Sequence, residues 1–194
     1  MNKRSDPKAL YIAIASRKFA RDGFDGTSLS SLAKEAGVTK QALLHFFGSK
    51  ERLYSEVLNA LALRLCDDIK STKADDPKSR LSEYLSSFAR ATFSKPEDAQ
   101  LVIRALLDSN SQARNWPMKQ YLDQLIALIQ AASSKTNMPQ SEAVGWLFPI
   151  IGAVQYLAIS VTAIAGMYGK PTANDQLEQL VRFVENSIDE LISK

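Results

Sequence analysis

Gln41 and His45 stand four residues apart, flanked by Lys40 and Leu44, inside the short segment Lys40–Phe47. A spacing of four puts side chains on one face of a helix. Glutamine offers a two-pronged match to the edge of adenine, and histidine or lysine can donate to guanine. The chemistry on offer is therefore hydrogen bonding to base edges. Leu43 and Phe47 repeat the spacing on the other side and, with Val38, predict a buried face. For this segment alone, the plainer alternative is a helical hairpin with a solvated polar face.

The neighbouring residues supply what is needed to position such a face. Thr27 and Ser28 are cap-type residues ahead of Leu29, Leu32, Ala33 and Ala36, which form one helical stripe. Gly37 supplies a stop, and Thr39 caps the second helix, Lys40 to Phe47. Ala33 and Gly37 are both small, so the two helices can cross closely, as a helix-turn-helix requires. Gly48-Ser49 then breaks the chain and Ser49 caps a helix running to about Ser71, with Leu53, Val57, Leu58, Leu61 and Leu65 inward. Lys50 in its first turn is expected to act with the helix dipole on one phosphate. Upstream, Asp6-Pro7 opens a helix whose inner face is Tyr11, Ile12, Ala15 and Phe19, and Gly23 ends it. Lys3, Arg4 and Lys8 are placed to reach phosphate or, equally, to stay solvated at a frayed terminus.

Phe19, Ala20, Gly23, Phe24, Thr27, Ala33, Gly37, Val38, Phe47, Ser49, Lys50, Glu51 and Leu53 together resemble the N-terminal domain of TetR-family transcriptional regulators. The resemblance runs from about Tyr11 to Leu58; the rest of the chain matches only in length and helical character. It implies a sequence-specific regulator, mostly a repressor in that family, with its last two helices forming a dimer interface. The expected DNA-binding set is Thr27, Ser28, Thr39, Lys40, Gln41, Leu44, His45, Phe46 and Lys50. Two of these depart from the family, which usually carries Tyr at position 44 and often Tyr or His at position 46. Leu44 cannot donate a hydrogen bond, though it can touch a thymine methyl or a sugar.

The 194 residues suffice for one large or two small domains, and the net charge of +3 is unevenly placed. Residues 1–54 hold ten Lys or Arg against five Asp or Glu, and the remainder holds fourteen against sixteen. A basic N-terminal third on a mildly acidic body is a footprint of localised nucleic-acid contact. Cys66 is the single cysteine, which excludes an internal disulfide and a thiolate metal cluster and fits the cytoplasm. The single histidine lies on the recognition face, with no plausible nucleophile nearby in sequence and no phosphate loop. Neither an enzyme nor a metal or cofactor is expected.

Helical signals continue at Lys78–Ser94, Glu97–Ser109 and Pro117–Ser134, so the body reads as all-α. Ala143 to Gly169 carries no charge and is long enough to span a bilayer. Pro149, the glycines at 145, 152 and 166, Gln155, Ser160 and Thr162, and a flank with Lys170 but no basic cluster favour a fully buried helix over a membrane span. Burial on all sides suggests a second subunit, with a homodimer formed near 140–168 and by the amphipathic helix Asp175–Ser193. The expected architecture is a helix-turn-helix DNA-binding domain over 1–48 and a larger helical effector-binding and dimerisation domain over 49–194. A dimer should read a palindromic operator on double-stranded DNA. A small, mostly apolar effector is implied by the resemblance, with Tyr84, Phe88, Trp116, Tyr121, Trp146 and Tyr156 as candidate walls. The alternative is a DNA-bound helical adaptor controlled by a protein partner.

Overall fold

A computed structural model describes residues 6–107 and 116–193. The described residues form helices joined by short links: α1 Pro7–Gly26, α2 Leu29–Ala36, α3 Lys40–Phe47, α4 Lys50–Lys70, α5 Pro77–Ser94, α6 Glu97–Leu107, α7 Lys119–Ala132, α8 Gln140–Tyr168 and α9 Lys170–Ser193. Lys3 and Arg4, and the expected end of the sixth helix at Ser109, lie outside them. Compactness divides the chain into Met1–Arg64 with Gln100–Lys119, and Leu65–Ala99 with Gln120–Lys194.

The first unit is built by its caps and glycines. The Asp6 carboxylate accepts the Lys8 amide at 3.0 Å, with Pro7 behind it where no amide is needed. Regular helix stops at Gly23, whose φ of 74° and ψ of 177° lie in a region that essentially only glycine occupies. One further turn leads to Thr27. Ser28 caps α2 through the Ser31 amide and Thr39 caps α3 through the Ala42 amide, each at 3.1 Å. Between them Gly37 takes the left-handed conformation at φ 68°. Phe19, Phe24 and Tyr54 form the aromatic centre, with Phe19 and Tyr54 rings 4.7 Å apart. Leu32, Leu43, Leu53 and Leu58 are buried in the same unit, each at most 2% exposed.

In the second unit α8 packs on α9, and both pack on α5. Its core includes Leu81, Leu85, Leu125, Ile129, Leu147, Val154 and Val184. Burial of the helix at 143–169 on all sides is expected to need a second subunit, and within one chain it is covered on one stripe. Only the stripe Ala143, Leu147, Ile150, Val154 and Ala158 is buried, while Phe148, Tyr156, Met167 and Tyr168 are 53–69% exposed. Composition reported the apolar character but not how many neighbours one chain supplies. Among the described residues, α8 is the one helix long and apolar enough to cross a membrane, with 22% of its most apolar window buried. The last helix starts at Lys170 and not at Asp175, because Gly169 at φ 89° turns the chain and Pro171 is tolerated in a first turn.

Gly37 and Gly23 separate two kinds of glycine requirement. A Cβ at Gly37 would meet no atom within 4 Å, whereas one at Gly23 would lie 3.3 Å from Arg104 Nη1. Gly37→Ala should lose about 1 kcal/mol of unfolding free energy from the left-handed backbone alone. Gly23→Ala should lose about 2–3 kcal/mol, from strain and the displaced guanidinium. Urea unfolding checks both, and equal losses would contradict this ranking.

Candidate DNA-binding surface

Helix α3 sorts its side chains as its periodicity requires. Leu43 and Phe47 are 2% and 5% exposed, and Gln41 and His45 are exposed on the other side. Lys40 and Thr39 are exposed at its start, and Leu44 is half-buried. Ser28 is exposed at the start of α2. Ser28, Thr39, Lys40, Gln41 and His45 are thus exposed polar residues at the starts of α2 and α3 and on the outer face of α3. Ala42 lies on that face too, half-buried, next to His45 around the helix. Its lack of any polar group gave the sequence reading no reason to name it.

Phe46 divides its ring between two roles. It is 45% exposed, yet its edge meets the Tyr11 ring at 5.2 Å, and His45 lies edge-on at 6.1 Å. Part of its apolar surface therefore ties α3 to α1. An open cleft of 570 Å³ lies beside it, lined by His45, Phe46, Gly48, Arg52, Glu56 and Pro117 among others.

Two expected DNA contacts are placed elsewhere. Thr27 is 1% exposed, and its hydroxyl donates to Gly23 O at 2.8 Å, so it cannot present that group to DNA. Lys50 turns its ammonium inward, donating to Phe24 O at 2.9 Å and Thr27 O at 3.1 Å and lying 4.1 Å from the centre of the Phe24 ring. Those carbonyls belong to the tight turn between α1 and α2, and a cation satisfies them better than water reaching a half-buried site. At the start of α4, the Ser49 hydroxyl accepts the Arg52 amide, and the Glu51 carboxyl is held below its usual pKa by its own amide and by Ser49. Nearby, Arg21 beside Asp22 holds that carboxyl at about 2 through a side-chain hydrogen bond.

Residues 12–57 match the family model described as bacterial regulatory proteins, tetR family. The helix-turn-helix domain is that of the TetR family. The chain is accordingly a DNA-binding transcriptional regulator. Over 192 residues it is 26% identical to the HTH-type transcriptional regulator RutR of Escherichia coli O157:H7, covering 96% of this chain and 90% of that protein. It is 27% identical over 118 residues to the HTH-type transcriptional regulator LmrA of Bacillus subtilis, covering 59% and 62%. The fatty acid degradation regulator FadR of Bacillus halodurans superposes with a TM-score of 0.72 at 19% identity, over 95% of this chain and 97% of that one. A TetR transcription regulator from Haloarcula marismortui gives 0.71 at 15% identity, over 96% and 98%. At these identities the two structures establish the fold. The family match accounts for the helix-turn-helix, and the likeness to the solved structures for the all-α body that follows it.

The six aromatic residues expected around an effector do not converge. Tyr84, Phe88 and Tyr121 do: Phe88 stacks on Tyr84 at 6.1 Å, and the buried Tyr84 hydroxyl donates to that of Tyr121 at 3.0 Å. Trp146 instead lines a separate groove of 310 Å³ with Met138, Pro149, Ile150 and Phe183, and its indole donates to Ser187 O at 3.3 Å. Tyr156 is 67% exposed, and Trp116 falls within the other compact unit. Cys66 is 1% exposed, and burial pushes its thiol pKa up, which disfavours the reactive thiolate.

Burial raises both Tyr84 and Tyr121 above the ordinary phenol range. A raised folded-state pKa contributes stability that is complete below the unfolded value, about 10, and lost as pH rises above it. The urea midpoint should therefore fall from pH ~10 upward, and less steeply in the Tyr84→Phe/Tyr121→Phe double variant; parallel curves would refute the linkage. Lys50→Met should lower unfolding free energy by about 2 kcal/mol in urea. Lost DNA binding with unchanged stability would return Lys50 to the DNA surface.

Proposed function

We propose that the chain is a homodimeric repressor that binds a palindromic operator and is released by a small, mostly apolar effector. The observation that carries the DNA half is the sorting of α3, with Gln41 and His45 outward while Leu43 and Phe47 are buried. On this reading Gln41 and His45 read base edges, Leu44 and Ala42 touch thymine methyls or sugars, and Ser28, Thr39 and Lys40 lie along phosphates. Residues 1–48 carry the reader, and residues 49–194 carry effector binding and dimerisation, in the cytoplasm and without catalysis or a bound cofactor.

The dimer reading rests on the apolar side chains that α8 and α9 leave open. Phe148, Tyr156, Met167 and Phe183 are 47–67% exposed on helices otherwise packed into a bundle. A second copy would cover them as a four-helix interface, and this favours a subunit contact over a bilayer for α8. The effector reading rests on the buried pair Tyr84 and Tyr121 with the half-buried Phe88 stacked on Tyr84. An effector would act by favouring a spacing of the two readers that no longer matches the operator.

Selection from a random duplex library tests the reading. One inverted repeat should be enriched by a protein that sediments as a dimer. Gln41→Ala should then relax preference at one base position per half-site, raising Kd for the selected site about tenfold. Enrichment of a single, unrepeated half-site, or of no sequence, would count against the proposal.

A further inference from the structure

A long-range contact in the first unit involves a residue with no evident role in the sequence. Arg104, on α6, donates from Nε to Ala20 O at 2.7 Å and from Nη2 to Arg21 O at 2.8 Å, across more than eighty residues of chain. The acceptors are not arbitrary. Because α1 breaks at Gly23, the carbonyls of its last regular turn lose their helical donors, and Ala20 and Arg21 are among them. A guanidinium is a planar fork that can take two carbonyls at once, and its charge suits the negative end of a helix. Its remaining nitrogen lies over the bare Cα of Gly23.

Lys50 of α4 holds Phe24 O and Thr27 O on the next turn of the same segment. Four carbonyls between positions 20 and 27 are thus held by two cations, one from α4 and one from α6. This segment leads directly into the cap of α2, and α2 packs on α3. Its path therefore sets the angle at which the recognition face is presented. We infer that Arg104 is a positioning residue of the DNA reader, acting through the α1–α2 turn without itself touching DNA. The inference rests on the DNA-binding reading of α3 for its functional consequence.

The test uses full-length protein and the duplex enriched by the wild type. Arg104→Gln should speed amide exchange at residues 23–28 at least tenfold while leaving α5 and α8 unchanged. It should also weaken duplex binding about tenfold, with the preferred sequence and the salt dependence kept. Arg104→Lys, which offers one donor centre for two carbonyls, should fall between wild type and Gln in both measurements, and it carries the same test if the Gln variant does not fold. Unchanged exchange and affinity would overturn the inference. So would exchange that rises evenly along the chain, which marks a general loss of stability. A lost affinity with normal exchange, a salt slope lower by about one and full rescue by Lys would make Arg104 a phosphate contact instead. If the wild type enriches no duplex, the DNA reading fails, while exchange at 23–28 still decides the role of Arg104 in the turn.

Discussion

Backbone carbonyls that a helix cannot satisfy by itself must find donors, and at the end of α1 those donors arrive from far along the chain. Lys50 closes the turn through Phe24 O and Thr27 O, and its ammonium sits against the Phe24 ring. The ring in turn meets Tyr54, one helical turn after Lys50 on the same face of α4. One lysine thereby joins the polar closure of the turn to the apolar centre of the first unit. A neutral side chain at 50 would leave two half-buried carbonyls dependent on water. The placement of α2, and through it the outer face of α3, follows from this closure.

Much of this was legible in the sequence where the governing interactions are local. The bounds of α3, the caps Ser28 and Thr39 and the stop at Gly37 involve partners within four residues, so residue type and spacing suffice. The misplacement of Thr27 and Lys50 has the opposite cause. Both are polar residues near a helix start, a position equally suited to phosphate or to the protein's own carbonyls. The choice was made by residues 23–26 positions away for Lys50, and by a buried turn for Thr27. Arg104 lay beyond any local reading, since its acceptors stand more than eighty positions earlier.

In the body, the helical class was legible and the three-dimensional grouping was not. Aromatic residues at helical spacing announce a core but carry no distances between helices. Tyr84 and Tyr121 meet, Trp146 faces a different groove, and Tyr156 faces outward. The uncharged run in α8 predicts burial on all sides with a second subunit as part of the cover, and a single chain covers one stripe of it. Apolar composition constrains what a surface will tolerate, and it leaves open who provides the cover.

Pro149 gives that surface a particular grain. Proline has no amide proton, so the carbonyl of Gly145, one turn earlier, lacks its ordinary helical donor. Gly145 is exposed and has no side chain to shield the oxygen. Gly145 and Pro149 both line the groove beside Trp146, so the groove wall includes a carbonyl without its helical donor. Whatever closes over this end of α8 must either carry a donor to that oxygen or trap a water against it. A smooth hydrocarbon surface supplies neither, so the helix discriminates among its covers by one hydrogen bond as well as by greasiness.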